Sequence, residues 1–293
     1  MRTIPAYAVV VAIYFSFPSF REQKDIQPLW QFVTFTENLL FDIQTPKAFS
    51  HVWSLCVEEQ FYLALPLTIA LLGRKRLGEH GAKILLALFL GGVGVRAFLW
   101  SAYVSDVPLS IAGEPDPRPY MTLIYYPTWS RLDGLLAGIP LAAVKLFKPE
   151  LWRQLTSRPN LLIVLGLAGI TASICWFGSQ IPTFLPAVFG FPLLSVSIAL
   201  LVAGGAQDEA VISRFRLPGV SALASIAYSL YLSHKLAFHL TSVSGMQPGW
   251  LQFATAMAVA LLVGSLLYWS IERPFLKLRD RHAISFNFSV RPA

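Results

Sequence analysis

Charged residues are scarce in this sequence of 293 residues: Asp, Glu, Lys and Arg together make up 13%, about half of their share in a typical soluble protein, while 55% of the residues are hydrophobic. So few charges leave too little polar surface to cover a water-soluble body. One large apolar core is the alternative, but the apolar residues form blocks of about 18–23 residues, the length that crosses a bilayer. The sequence therefore predicts an integral membrane protein.

Cysteine is also nearly absent, and the sequence contains no internal repeat. The number and spacing of Cys56 and Cys175 exclude a disulfide framework and a zinc-binding pattern, so we expect no metal site. In a soluble protein the net charge of +7 would suggest a nucleic-acid partner. Here the Lys and Arg residues lie in short loops without interleaved aromatic residues, so we expect membrane lipid and no nucleic acid.

Eight apolar segments are candidate membrane spans and predict an all-α fold, a polytopic transmembrane helix bundle with about eight spans. The segments are residues 4–18, 54–72, 83–103, 128–147, 160–177, 183–204, 221–243 and 250–270. The first could instead be a secretory signal peptide, but no A-x-A-like site follows it, which favours a retained helix. Residues 29–43 are short and carry Glu37 and Asn38, which favours an interfacial or re-entrant segment.

Basic residues alternate between successive connections of the chain. Connections rich in Lys and Arg are 74–83, 145–158, 214–216 and the tail from 277, and those with one basic residue or none are 104–127, 178–182 and 244–249. This alternation is the positive-inside pattern. It predicts a cell (inner or plasma) membrane protein with both termini in the cytoplasm, organised as one transmembrane domain over 1–272 and a cytoplasmic tail over 273–293.

Two adjacent carboxylates, Glu58 and Glu59, open the second apolar span close to His51, Trp53 and Ser54. Helix electrostatics is one explanation, because acidic residues are favoured in a first turn and Ser54 could cap the helix. Adjacent residues on a helix point about 100° apart. We therefore expect at least one of the two carboxylates to face a polar cavity.

Arg131 and Asp133 open the span that follows the acidic connection 104–127. Their spacing leaves two alternatives open: they neutralise each other at the membrane interface, or they line the same cavity as Glu58 and Glu59. Arg96 lies deep within an apolar span, where a charge is costly unless it is paired or hydrated, and it could pair with one of the carboxylates.

His234 lies near the middle of its span, next to Ser and Tyr hydroxyls and to Lys235. A lone buried histidine is usually a hydrogen-bonded structural residue, but a titratable imidazole at this depth also indicates a site. Glu272 and Arg273 lie at the cytoplasmic end of the last span, before a proline. For these two residues simple solvation is favoured over chemistry.

Together these segments resemble the acyltransferase-3 family of membrane O-acyltransferases. The stretch HVWSLCVEEQFYL resembles the most recognisable motif of that family, with Cys56 where a serine is usual. The stretches RLDGLLAG, YSLYLSH and SIERP match three further blocks in the family's order, and RTIPAY resembles the cytoplasmic entrance to its third helix. The resemblance covers nearly the whole chain.

The resemblance implies an enzyme that transfers an acyl group, usually acetyl from acetyl-CoA, to a hydroxyl of a cell-surface glycan, a lipid-linked sugar or an exported metabolite. No metal is implied. We predict catalytic roles for Glu58, Glu59 and His51, and binding of the acyl donor by Arg2. We predict substrate contacts for Trp53, Ser54, Arg131, Asp133, Arg96 and His234.

The chain departs from the family pattern at its start. The family has about ten helices, and the first of them carries a catalytic histidine with an upstream basic residue that has no counterpart here. We therefore expect the chain to lack the first two helices. Arg2 matches the second arginine of an Arg-x-x-Arg motif whose first would precede Met1, and Lys235 stands where uncharged residues are usual.

Two other functions remain open on the sequence. In a transporter or lipid flippase, Arg96, His234 and the carboxylates would form a permeation path, although the inverted repeats common in transporters are missing. In a catalytically inactive fragment of the family, the same residues would be remnants. The sequence identifies neither the acceptor, nor the acyl chain, nor the oligomeric state.

Overall fold

The computed structural model describes residues 3–106, 116–178, 183–215 and 218–285. Within these ranges the α-helices are α1 (Ile4–Ser16), α2 (Leu29–Val33), α3 (Trp53–Leu99), α4 (Arg118–Tyr120), α5 (Asp133–Phe147), α6 (Pro149–Leu155), α7 (Pro159–Phe177), α8 (Phe191–Gly205), α9 (Val220–Ser242), α10 (Trp250–Leu267) and α11 (Arg273–Ser285). Turns of π-helix adjoin several of them, at Trp100–Val104, Met121–Tyr125, Pro186–Gly190 and Tyr268–Glu272. Short 3-10 helices lie at Pro18–Phe20, Ser50–Val52, Thr128–Ser130 and Val211–Arg214.

The predicted all-α fold is confirmed. Strands in the described residues are limited to β1 (Asp25–Ile26) and β2 (Lys47–Ala48), which pair in parallel. Every predicted span coincides with a helix, and the two spans predicted on either side of the basic connection 74–83 are the two halves of α3. These halves are separated at Gly73, whose backbone has φ 73 and ψ 156. This left-handed φ suits glycine, which carries no Cβ.

Five helices in the described residues are long and apolar enough to cross a membrane. They are Ser50–Leu71, His80–Val104, Pro159–Phe177, Pro186–Gly205 and Trp250–Arg281. The chain is therefore a multi-helix membrane protein, whereas the predicted count of about eight spans is not confirmed. The first predicted span forms the shorter apolar helix α1, of 13 residues.

Large apolar side chains lie exposed along these helices. Leu63 is 80% exposed and Leu71 75% exposed on α3, and Trp250 is 81% exposed at the start of α10. Soluble proteins rarely expose apolar side chains in long contiguous bands. A helix face of this kind is typical of contact with lipid, so these side chains agree with the membrane assignment.

The chain divides into two compact units. The first comprises the described residues within 1–32, 44–52 and 217–293, and the second those within 33–43 and 53–216. In the first unit α9 packs along α10, and α1 packs against α9. Gly264 permits the close approach of α9 and α10, because a Cβ at that position would lie 2.9 Å from the Cα of Leu230.

In the second unit α8 packs along α7 and against α5, and α5 also contacts α3. The α7–α8 contact is close at Gly166, where a Cβ would lie 2.7 Å from the carbonyl oxygen of Ser197. Small residues at such contacts let helix backbones approach closely in membrane proteins. This packing holds the starts of α3 and α5, which carry most of the predicted site residues, near the π-helical turn Pro186–Gly190 before α8.

Candidate functional site

The start of α3 carries the first group of predicted site residues. Trp53 begins the helix and Ser54 follows it within the first turn, so Ser54 does not occupy the capping position before the helix that the sequence suggested. Glu58 and Glu59 lie one turn further on. All four side chains are half-buried, and the two adjacent carboxylates repel each other. A half-buried carboxylate pair at the start of an apolar helix can accept hydrogen bonds from a polar ligand.

Arg131 lies among three aromatic rings. Its guanidinium carbon is 3.7 Å from the ring centroid of Phe191, 5.0 Å from that of Trp53 and 5.3 Å from that of Tyr125. A cation this close to the faces of aromatic rings is attracted by their quadrupoles, and the attraction grows when the site excludes water. The rings therefore hold the guanidinium in place without neutralising its charge.

The guanidinium of Arg131 also lines a cavity of about 450 Å³. Other walls come from Tyr120, Tyr125, Trp176 and Phe191. The Nη1 atom of Arg131 is buried, and it has no hydrogen-bond partner among the described residues. A buried N–H donor without an acceptor is costly. Arg131 thus contributes to the cavity wall a cation that aromatic rings hold in place, which suits a ligand that carries a negative or partly negative oxygen.

Arg96 and Asp133 form a buried ion pair. Arg96 donates from Nη1 to Oδ2 of Asp133 (2.7 Å) and from Nη2 to Oδ1 (3.0 Å). It also donates to the carbonyl oxygens of Ser130 (2.6 Å) and Val188 (3.0 Å). The alternative in which Asp133 and Arg131 neutralise each other is therefore wrong. The carboxylate of Asp133 is engaged by the other arginine, and Arg131 keeps its charge available.

The segment before α3 adds polar groups that the sequence did not single out as site residues. Asn38 donates from Nδ2 to Oγ1 of Thr128 (2.8 Å), and Gln60 donates from Nε2 to Oδ1 of Asn38 (2.9 Å). The carboxylate of Glu37 is completely buried beside them. Burial, the neighbouring Tyr125 and Glu37 raise the pKa of Tyr126 to about 12, so this phenol keeps its proton at neutral pH. The network fixes residues 35–38 onto α3.

His51 and His234 lie together in the first unit. Their ring centroids are 4.6 Å apart, and each ring has a nitrogen near the carbonyl oxygen of Tyr231, Nε2 of His51 at 3.0 Å and Nδ1 of His234 at 2.7 Å. A carbonyl oxygen only accepts, so both of these nitrogens carry protons. Nδ1 of His51 is buried without a hydrogen-bond partner among the described residues. His51 therefore presents an imidazole lone pair, which is what a general base requires.

A cavity of about 410 Å³ in the first unit has Glu22 and Lys235 in its wall. Lys235 on α9 donates to Oγ of Ser50 (2.9 Å) and lies 3.8 Å from Oε1 of Glu22. The same Glu22 oxygen accepts a hydrogen bond from the backbone N–H of Phe49 (2.9 Å). Lys235 stands where uncharged residues are usual in the family that the sequence resembles. It has specific partners here, in the same unit as His51.

Glu272 lies in the π-helical turn that follows α10. Its carboxylate is completely buried and accepts a hydrogen bond of 2.7 Å from Oγ of Ser229 on α9. The expectation that Glu272 is solvated is wrong. Arg273, which follows it, stacks on Trp269 with 3.9 Å between the guanidinium carbon and the ring centroid.

The predicted site residues fall into both units. His51 and His234 belong to the first unit, and the second unit holds Trp53, Ser54, Glu58, Glu59, Arg96, Arg131 and Asp133. Arg2, predicted to bind the acyl donor, lies outside the described residues. No group of three or more His, Cys, Asp or Glu side chains that could hold a metal ion is present in the part of the chain that the structure describes.

A family model described as "Acyltransferase domain" matches residues 1–269, nearly the whole chain. The chain belongs to the acyltransferase-3 family. The match includes the α3 segment with its two glutamates, the Arg131 segment and the His234 segment, and it ends at residue 269, before the buried Glu272.

Among curated relatives, the peptidoglycan O-acetyltransferase OatA of Listeria monocytogenes is 23% identical over an alignment of 299 residues. The alignment covers 94% of this chain and 45% of that protein. The O-acetyltransferase OatA of Staphylococcus aureus is 24% identical over 234 residues, covering 78% of this chain and 36% of that protein. The acyltransferase-3 chain described here thus spans less than half the length of these relatives. No solved structure matches it significantly.

Proposed function

We propose that this chain is a membrane-embedded O-acyltransferase that transfers an acetyl group from acetyl-CoA to a hydroxyl of a cell-surface glycan, a lipid-linked sugar or an exported metabolite. The observation that carries the proposal is the family match over residues 1–269. Two relatives bear the name O-acetyltransferase, one of them for peptidoglycan, which supports a glycan as the acceptor. The five long apolar helices support catalysis within a membrane.

The proposed location is the inner or plasma membrane, with both termini in the cytoplasm. The alternation of basic and weakly charged connections supports this orientation. Residues 1–272 would form the catalytic membrane domain and 273–293 a cytoplasmic tail. Arg2 would then lie on the side where acetyl-CoA is available, and would bind its phosphates.

In the proposed reaction a base removes the proton of the acceptor hydroxyl while the oxygen attacks the thioester carbonyl. The carbonyl oxygen becomes negatively charged in the tetrahedral intermediate. Its collapse breaks the C–S bond, leaving an O-acetyl ester and the CoA thiolate, which takes up a proton to become the free thiol. The protein must supply a base and a donor for the developing oxyanion.

Arg131 is the proposed donor for the oxyanion. Asp133 does not neutralise the charge of its guanidinium, because both oxygens of Asp133 are bound to Arg96. The buried Nη1 of Arg131 has no acceptor among the described residues. Pre-positioned donors of this kind act on charge that develops in the transition state. Trp53 would contribute to substrate binding indirectly, because its ring flanks the Arg131 guanidinium and helps to hold it in place. Arg96 and Asp133 support the site by fixing the start of α5.

His51 is the proposed base, because its Nδ1 lone pair is unused among the described residues while Nε2 is fixed by the Tyr231 carbonyl. His234 would assist by packing against its ring. Glu58 and Glu59 would orient the acceptor by accepting hydrogen bonds from its hydroxyls, with Ser54 adding a hydroxyl one turn away. Half-burial of both carboxylates supports this role.

The experiment uses membrane vesicles that contain the chain, acetyl-CoA labelled in the acetyl group, and a panel of cell-wall saccharides. The expected product is an alkali-labile acetyl ester on one saccharide, formed by the unaltered chain and lost in Glu58→Gln/Glu59→Gln. Glu150→Gln is the matched control, because Glu150 is an exposed carboxylate of α6. Movement of an unmodified solute without ester formation would instead indicate a transporter.

A further inference from the structure

Besides the Arg131 cavity, the second unit contains another cavity, which shares no lining residue with it. It measures about 450 Å³, is open on one side, and is lined by side chains of α3, α5, α6, α7 and α8, among them Leu85, Leu141 and Leu200. Among the described lining residues, only Thr156 and the amphipathic Trp152 carry polar side-chain atoms, and the Thr156 hydroxyl already donates to the Trp152 carbonyl (2.8 Å). Water in such a cavity would find few hydrogen-bond partners. Its chemistry suits a hydrocarbon chain.

Basic residues adjoin the cavity along the chain. Ala82 and Val144 both line it and directly precede Lys83 and Lys145, whose side chains are exposed. The ammonium of Lys145 lies 5.5 Å from the ring centroid of Trp152, which is itself part of the cavity wall. A lysine beside an interfacial tryptophan is the usual arrangement where a membrane protein meets lipid headgroups.

The connection 145–158, which borders this cavity, is strongly basic. The stretch 145–158 contains Lys145, Lys148, Arg153 and Arg158, and its one acidic residue, Glu150, forms an ion pair with Arg153. The remaining cations attract a negative partner. Anionic phospholipids are attracted to basic segments at the membrane surface by about 1 kcal/mol for each Lys or Arg.

We propose that this cavity binds one acyl chain of an anionic phospholipid, with the lipid phosphate held by Lys145 and Lys83. The site shares no residue with the Arg131 cavity. It does not depend on the proposed reaction, because its ligand would be a structural lipid rather than a substrate. Since the acyl chain contacts α5 and α8 together, the lipid holds these two helices in register.

The binding experiment uses the purified full chain, stripped of lipid in detergent, with dipalmitoyl phosphatidylglycerol and dipalmitoyl phosphatidylcholine as probes. Native mass spectrometry measures bound lipid, and thermal unfolding measures stabilisation. The expected result is retention of phosphatidylglycerol and a rise of Tm with that lipid alone. Equal retention of both lipids, or of neither, contradicts the proposal.

Two kinds of variant test the position of the lipid. Ala137→Phe and Ala199→Phe fill the cavity and should each lower phosphatidylglycerol affinity about tenfold, since each buried CH₂ contributes to chain binding. Lys145→Gln should lower it about fivefold. The matched controls are Ala168→Phe, on an exposed face of α7, and Lys277→Gln, on α11; both should bind as the unaltered chain does. Equal losses in the controls contradict the site.

A photoreactive phosphatidylglycerol makes the test independent of how well the variants fold. A diazirine in its acyl chain should label Leu141, Leu200 and their neighbours in the unaltered chain, and unlabelled phosphatidylglycerol should compete. Labelling spread evenly over all apolar helices would overturn the assignment.

Discussion

The guanidinium of Arg131 lies over the ring of Phe191, with 3.7 Å between the guanidinium carbon and the ring centroid. Asp133, two residues further along, binds Arg96 with both of its oxygens instead. The two arginines therefore differ in their surroundings. Arg96 is neutralised and completely buried, whereas Arg131 is held by aromatic faces and keeps a buried Nη1 without an acceptor among the described residues.

Replacing Phe191 tests the aromatic contact of Arg131. A cation–π contact contributes about 0.5–2 kcal/mol, so Phe191→Leu should lower kcat/KM for acetyl transfer by roughly 2- to 30-fold while the chain still folds. Phe189→Leu is the control, because Phe189 lies in the adjacent π-helical turn and is exposed. Steady-state rates in vesicles provide the measurement. Equal losses in the two variants would show that the contact is unimportant.

Replacing Asp133 should destabilise the protein. Removing one partner of a buried ion pair costs about 3–5 kcal/mol, because the other charge stays buried. We expect Asp133→Ala to lower the Tm and the yield of folded protein strongly. Glu150→Ala breaks an exposed ion pair with Arg153 and should cost less than about 1 kcal/mol. Thermal unfolding in detergent gives the Tm of both variants. An Asp133→Ala variant with the Tm of the unaltered chain would contradict the structural role of the Arg96–Asp133 pair.

The helices could be predicted because apolar blocks of membrane-spanning length are visible in composition alone. The partners of buried charges could not. Arg131 is the arginine nearest to Asp133 in sequence, yet the chain passes from the 3-10 turn Thr128–Ser130 into α5 between them, and the two side chains diverge. The real partner, Arg96, comes from α3, and only tertiary packing brings it there.

Ser229 and Glu272 provide a second test of stability. Ser229→Ala removes the hydroxyl that donates to a completely buried carboxylate and should cost about 1.5–3 kcal/mol. Ser225→Ala is the matched control on the same helix, since the Ser225 hydroxyl donates to the backbone carbonyl of Ser221 (2.8 Å) rather than to a buried carboxylate. The difference in Tm between the variants measures the contact. Similar Tm values would show that the hydrogen bond from Ser229 to Glu272 does not stabilise the protein.

The burial of Glu272 illustrates a limit of pattern reading. A carboxylate next to Arg and Pro at the end of an apolar span usually marks the membrane surface. Here the helix continues through the π-helical turn Tyr268–Glu272 into α11, which directs the carboxylate toward Ser229 on α9. The sequence likewise gives no sign that Glu37 is completely buried, because its segment is too short to be a span.

His51 can be separated from His234 by mutation. His51→Gln keeps a donor for the Tyr231 carbonyl but removes the imidazole lone pair, so acetyl transfer should fall by at least about 10²-fold with little change in Tm. His234→Gln keeps His51 intact and should lose much less activity. The ratio of the two rates decides between the histidines. A larger loss for His234→Gln would reverse the assignment of the base.

The most direct measurement follows transfer of label from acetyl-CoA to a saccharide hydroxyl by the vesicle-embedded chain, compared with Arg131→Gln under the same conditions. Loss of a pre-positioned donor typically lowers kcat by about 10²–10³-fold. We predict a loss of that size with an unchanged Tm. Ester formation at the same rate in both proteins, or none by the unaltered chain, would contradict the account.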